Sequence, residues 1–137
     1  PRDVATLAHD VRSRRQKMRD NLGTNQNEKA KGLFDIKHDS GGIIDIEFIV
    51  QYLVLAHAHK QPELLHWTDN IRILESALAV QILTAEQTQT LVKHYNALRT
   101  ASHQHALQGV SNKATDDKFT QTKQAIEAIW SEVFSAD

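Results

Sequence analysis

The sequence predicts an all-α domain: an antiparallel bundle of about five helices, with a short extended segment and a Gly-Gly turn ahead of the central helix. Three observations predict it. Apolar residues recur at helical spacing through most of the chain. The five glycines, at 23, 32, 41, 42 and 109, and Pro62 fall between those periodic stretches. A chain of 137 residues, 40% apolar and 24% charged, is long enough to bury one core and too short for two. No internal repeat or low-complexity tract is visible, so residues 1–137 are read as a single helical domain.

The first helix is expected from about Asp3 to Leu22, carried by Val4, Leu7, Val11, Met18 and Leu22, with Gly23 where a C-terminal cap belongs. Residues 23–32 are polar and bounded by glycine, which reads as a mobile loop. Leu33–Lys37 approaches an alternating pattern, as in a short extended stretch, and the turn Asp39-Ser40-Gly41-Gly42 follows. A second helix spans about Ile43 to His59 and ends before Pro62. A third starts near Thr68 or Asp69, either a plausible cap, and aligns Ile71, Leu74 and Leu78. Thr84-Ala85-Glu86-Gln87 reads as a capping box for a fourth helix running to about Leu107, where Gly109 stops it. A fifth begins at Thr115-Asp116 and carries Phe119, Ile126, Ile129, Trp130 and Val133.

Composition excludes several classes of function. Sixteen Lys and Arg against 17 Asp and Glu give a net charge of -1, unlike a general nucleic-acid or membrane-surface binder. No apolar run approaches the roughly 20 residues that span a bilayer, no signal-peptide pattern opens the chain, and a cytoplasmic location is expected. Cysteine is absent, which removes disulfide scaffolds, thiol catalysis and cysteine zinc sites. Two histidine pairs, His57 with His59 and His103 with His105, are spaced two apart rather than the four used by zinc helices, so no metal site is expected. Arg12, Arg14, Arg15, Lys17 and Arg19 make the first helix basic, which reads as a solvated face or as contact with another domain. Trp67 and Trp130 are expected core anchors.

The helix over 43–59 is unlike the rest. Ile43, Ile46, Ile49, Val50, Leu53 and Val54 cover one side, and Ile44, Phe48 and Leu55 cover much of the other, the pattern of a central buried helix. Two polar seams interrupt it: Glu47 with Gln51, and Asp45 with Tyr52 and His59. A buried carboxylate is costly unless paired or hydrogen-bonded. Asp45, in the first turn, gains from the free amides and the helix dipole, and Glu47 could pair with a cation on a neighbouring helix. The functional alternative is that Gly41-Gly42, leading into a helix N-terminus with Lys37 nearby, lets backbone approach a phosphate.

The string from Phe34 to Leu53 contains D-I-K-x-x-x-G-G-I-x-D-I-E-F-x-x-Q, and it resembles the signature of the glutamine synthetase adenylyltransferase family. Pro62, Leu64, Trp67 and Asp69 to Leu74 resemble the same family's downstream helices. The family is bifunctional, each half a nucleotidyltransferase domain followed by a helical domain; one half removes AMP from glutamine synthetase and the other attaches it. Asp45-Ile46-Glu47, with Ile44 where the other half tends to carry arginine, and a final helix with Trp130 resemble the C-terminal, adenylylating half. The resemblance implies a C-terminal helical fragment of a larger enzyme that moves AMP from ATP to a tyrosine of glutamine synthetase, under the control of glutamine and a PII signalling protein. ATP and Mg²⁺ would be held mainly by the missing domain. Lys37, Gly41, Gly42, Asp45 and Glu47 would form an edge facing the active site in supporting roles.

Catalytic residues are not expected in this chain. It has no Gly-Ser turn and no Asp-x-Asp pair for two-metal phosphoryl transfer. Asp45 and Glu47, two apart on a helix, diverge by about 200° and cannot substitute. The rival expectation is a non-catalytic regulatory or docking module that binds a protein partner. The related uridylyltransferase family also joins a nucleotidyltransferase domain to helices, but Asp69-Asn70-Ile71-Arg72 fits it less well.

Overall fold

A computed structural model describes residues 3–115 and 119–134. Within them lie six α-helices: α1 (Val4–Leu22), α2 (Gln26–Ala30), α3 (Ile43–His57), α4 (Asn70–Ala79), α5 (Ala85–Gln108) and α6 (Thr120–Phe134). A 3₁₀ turn at Pro62–Leu65 and a small antiparallel ribbon, β1 (Leu33–Asp35) with β2 (Lys113–Thr115), complete the described elements. The all-α bundle is as expected.

Helix α3 occupies the centre and packs against α1, α4, α5 and α6. Ile46 and Ile49 are wholly buried there, with Val11 from α1, Leu74 from α4, Leu91 and Leu98 from α5 and Ile126 from α6. Each such side chain contributes about 1.5–3 kcal/mol on burial, so the bundle is held chiefly through this one helix. The side of α3 that carries Gln51 and Leu55 faces solvent; Leu55 is 53% exposed.

Local chemistry fixes the ends. Asp69 caps α4 by accepting from the Ile71 N–H at 2.9 Å. At Thr84 the hydroxyl accepts from Gln87 N–H while the Gln87 side chain accepts from Thr84 N–H, both at 3.0 Å, the expected capping box. Gly109 closes α5 with φ of 70°, where L side chains are strained.

Four expectations change. The loop at 23–32 holds a helix, α2, started by a second capping box between Asn25 and Glu28. Its five residues are too few for periodicity to register. Gly23 does cap α1, but with extended backbone (φ -77°) rather than a left-handed turn. Its glycine is required by space: a Cβ would lie 2.6 Å from Asp39 Oδ1 and 2.7 Å from the Arg19 carbonyl oxygen. Thr115 belongs to β2, not to a helix start, because the ribbon partner of Leu33–Asp35 is supplied there; Asp116 lies outside the described residues. Trp67 is 39% exposed and stacks under the Arg72 guanidinium at 4.4 Å, whereas Trp130 packs on Phe134 at 4.3 Å beside the core.

Candidate functional site

The signature segment runs from β1 through a tight loop into α3, and its polar residues turn inward. Asp35, Asp39 and Asp45 are all buried, each held by a different set of donors. Asp35 Oδ1 accepts the Lys37 and His38 amides at 2.9 Å, and its Oδ2 lies 3.2 Å from His38 Nδ1. Asp39 Oδ1 accepts the Thr24 amide at 2.7 Å, while its Oδ2 accepts the Asp35 amide at 2.8 Å and the Thr24 hydroxyl. Asp45 Oδ2 reaches back to the Gly41 amide at 2.7 Å, and its Oδ1 takes Arg15 Nε at 2.5 Å.

Arg15 is the hub. It has no solvent exposure, and its Nη2 donates to the His38 carbonyl at 2.7 Å and the Asp39 carbonyl at 3.2 Å. One side chain of α1 thus grips both the loop and the first turn of α3. Burial lowers the Arg15 pKa from its ordinary value, and the Asp45 carboxylate opposes that shift. Arg19, one turn on, approaches Asp45 Oδ1 at 3.8 Å. The expectation that the basic residues of α1 form a solvated face fails at Arg15. Position 15 lies four after Val11 and three before Met18, so it continues the apolar stripe, and that spacing was the available signal.

Gly41 and Gly42 are buried with their amides engaged: Gly41 N–H on Asp45, Gly42 N–H on the Asp39 carbonyl at 2.9 Å. The next two amides, of Ile43 and Ile44, donate to the Ile36 and Lys37 carbonyls at 2.9 and 3.1 Å. The first two amides of α3 are therefore taken by its own preceding loop. Both glycines are sterically required. Gly41 has φ of 83° and abuts Lys123 of α6, whose Cα would lie 2.8 Å from a Cβ; at Gly42 a Cβ would lie 2.6 Å from the Ile36 carbonyl oxygen.

Of the five expected edge residues, Lys37, Gly41, Gly42 and Asp45 gather at this helix start, and Glu47 follows one turn along. Asp45 is buried and paired. Lys37 is exposed and Glu47 half-buried, and neither side chain makes a hydrogen bond or ion pair with the described residues. The sequence reading missed Arg15, Thr24 and Asp39 as members of the network, and also the link from the Ser40 hydroxyl to Glu127 of α6 at 2.6 Å. Chemically the arrangement is a scaffold. The lone pairs of its three carboxylates already accept N–H and O–H donors, while Lys37 and Glu47 are offered outward.

No helix among the described residues is long and apolar enough to cross a membrane. Residues 9–129 match the family model described as GlnD PII-uridylyltransferase. The matched span takes in Arg15, the whole signature, α3 and the stretch Asp69–Arg72 that reads as closer to the adenylyltransferases. The chain is therefore a nucleotidyltransferase-related helical domain and belongs to the GlnD PII-uridylyltransferase family.

Proposed function

We propose that this chain is the helical part of a glutamine synthetase adenylyltransferase, supporting the transfer of AMP from ATP to a tyrosine of glutamine synthetase. The observation that carries the reading is the run Asp35 to Gln51, which resembles the signature of that family residue by residue. The family match supports the broader nucleotidyltransferase setting. ATP and Mg²⁺ are held mainly by a nucleotidyltransferase domain outside these residues, glutamine synthetase and a PII signalling protein are the partners, and glutamine is the effector.

The five edge residues divide the work in this reading. Asp45, Gly41 and Gly42 hold the loop and the α3 N-terminus in one geometry. Lys37 and Glu47, which have no partner among the described residues, face the neighbouring domain or its nucleotide. A lysine there acts as a point charge toward phosphate oxygens. The test uses the enzyme that joins this chain to its nucleotidyltransferase domain, with α-labelled ATP or UTP and either glutamine synthetase or PII protein as acceptor. Label passes from ATP to glutamine synthetase, and Lys37→Ala lowers that transfer by roughly tenfold, about 1.4 kcal/mol in barrier, with an unchanged Tm. Label passing from UTP to the PII protein overturns the reading.

One observation favours a second reading, a docking module with no part in the active site: Asp45, the signature carboxylate, is spent on Arg15 inside the bundle. Under that reading Lys37→Ala and Glu47→Gln leave label transfer intact and weaken binding of a protein partner instead.

A further inference from the structure

We propose that the cleft between α1, α2 and α6 is a binding site for a phosphoryl anion, a phosphate or a short polyphosphate. The cleft has a volume of about 230 Å³ and is lined by Arg19 of α1, Lys29 of α2 and Lys123 of α6, with Ser40 and Asp39 from the signature loop and Leu33 and Phe34 from β1. Three cations from three separate helices are brought to one small space. That size suits phosphate or pyrophosphate and excludes a nucleoside base.

Elsewhere in the molecule, Arg15 takes Asp45 and Lys113 takes Glu28, each at 2.5 Å. In the cleft the ion pair among the described residues is the longer contact of Arg19 with Asp45. Lys29 is exposed and Lys123 half-buried, and neither has an ion pair with the described residues. The Lys123 ammonium lies 5.5 Å from the Phe34 ring centroid, a position held by its stem against Gly41. Arg19 donates Nη1 to Gln16 at 3.0 Å and reaches Asp45 only at 3.8 Å; its Nε is buried and has no hydrogen-bond partner.

Three acidic groups stand nearby, and all are occupied: Asp45 is held by Arg15 and the Gly41 amide. Asp39 accepts three hydrogen bonds from Thr24 and Asp35. Glu127 accepts from the Ser40 hydroxyl. The remaining balance is positive, with a planar guanidinium and two mobile ammonium groups, the donor set that suits tetrahedral oxyanions. An anion seated there would also tie α2 and α6 to the signature loop. This inference stands apart from the identity of the transferred nucleotide.

The test is a titration of the 137-residue chain with inorganic phosphate, pyrophosphate and ATP at constant ionic strength, followed by nitrogen-resolved NMR that includes the arginine Nε–H signals. Saturable shifts at Arg19 Nε–H are expected with at least one of the three. The Lys29→Ala, Lys123→Met double variant weakens that binding tenfold or more with an unchanged Tm, since methionine keeps the stem on Gly41. Tightest binding of inorganic phosphate identifies a free anion as occupant; tightest binding of ATP identifies the polyphosphate of a nucleotide. Absence of saturable shifts at Arg19, equal shifts with chloride, or undiminished binding in the double variant overturns the proposal. If the double variant loses its cooperative melt, Lys29→Ala alone, on an exposed residue without structural partners, replaces it with the same criterion.

Discussion

The two ends of α3 are held by different physics. At its N-terminus, a buried arginine and three buried aspartates stitch α1, the loop at 35–42 and the helix start together across sequence separations of 15 to 30 residues. Toward its C-terminal half, Leu53 is buried in the same apolar cluster as Leu64, Ile73, Leu74 and Leu83, and the helices there begin with local caps at Asp69 and Thr84. A polar link between α4 and α5 joins the Asn70 side-chain amide to the Tyr95 hydroxyl at 2.9 Å. Apolar packing tolerates exchange of one methyl-rich side chain for another of similar volume. A charged network does not, because each deletion strands a partner. The signature residues sit at the charged end, so the part of the sequence that most constrains identity is the part that builds a single loop geometry.

The largest expected effect breaks the charged end. Arg15→Met removes the guanidinium whose Nε lies 2.5 Å from Asp45 Oδ1 and leaves that buried carboxylate only the longer contact with Arg19, at 3.8 Å, which costs about 3–5 kcal/mol. Chemical denaturation of Arg15→Met against wild type measures it. Asp45→Asn in the same background, retaining an acceptor for the Gly41 amide, recovers part of the loss, because the stranded charge is gone. Equal destabilisation by Arg15→Met alone and by the double variant would mean that no stranded charge is relieved, and the comparison of the two ends would be wrong. By contrast, Leu74→Met at the apolar end, close in volume, costs less than about 1.5 kcal/mol.

Much of the apolar end was legible and much of the charged end was not. Thr84 to Gln87 specifies its cap within four residues, and Ile71, Leu74 and Leu78 show their helical face without reference to anything distant. The nearly all-round apolar character of α3 announced a central helix. Arg15, Thr24 and Asp39 gave weaker signals, because a buried charge is recognisable only once its partner is known, and the partners lie far along the chain. The pairing of Leu33–Asp35 with Lys113–Thr115 was hidden for the same reason. The turn at Gly41-Gly42 was placed correctly, but the need for glycine comes from α6 and from the Ile36 carbonyl, neither of which the local pattern contains.

A middle-sized effect sharpens the comparison at that turn. Gly42 has φ of -99°, which any residue adopts, so alanine there is opposed by space alone. Its Cβ would stand 2.6 Å from the Ile36 carbonyl oxygen, the acceptor of the Ile43 amide, and the loop must open to admit it. Gly42→Ala is expected to cost about 1–3 kcal/mol, as other overpacked sites do. Thermal melts check the size, and amide exchange at Ile43 and Ile44 checks the place. Loss confined to those amides supports a loop held as a unit. An unchanged melt would show that the loop yields easily, and with it the view of the charged end as rigid would fall.

The smallest effect is one of pH. Two histidines that make no hydrogen bond to the three aspartates, His57 at the end of α3 and His94 in α5, have pKa values lowered mainly by burial, with Lys60 and Lys93 adding repulsion. His94 Nδ1 also lies 3.0 Å from the Thr122 hydroxyl, linking α5 to α6. For a group whose folded pKa is depressed, the unfolded chain binds the proton more readily. The stability it contributes is complete above the unfolded value of about 6.5 and is lost as the pH falls from there toward the folded pKa. Tm is therefore expected to decline between neutral pH and pH 5, and His94→Gln, which keeps a polar partner for Thr122, flattens that decline. Arg15→Met lowers the whole curve and leaves the contribution of the two histidines in place, because Arg15 makes no hydrogen bond to either of them. A decline that survives in a His57→Gln, His94→Gln double variant and vanishes in Arg15→Met would transfer the pH sensitivity from the two histidines to the aspartate network.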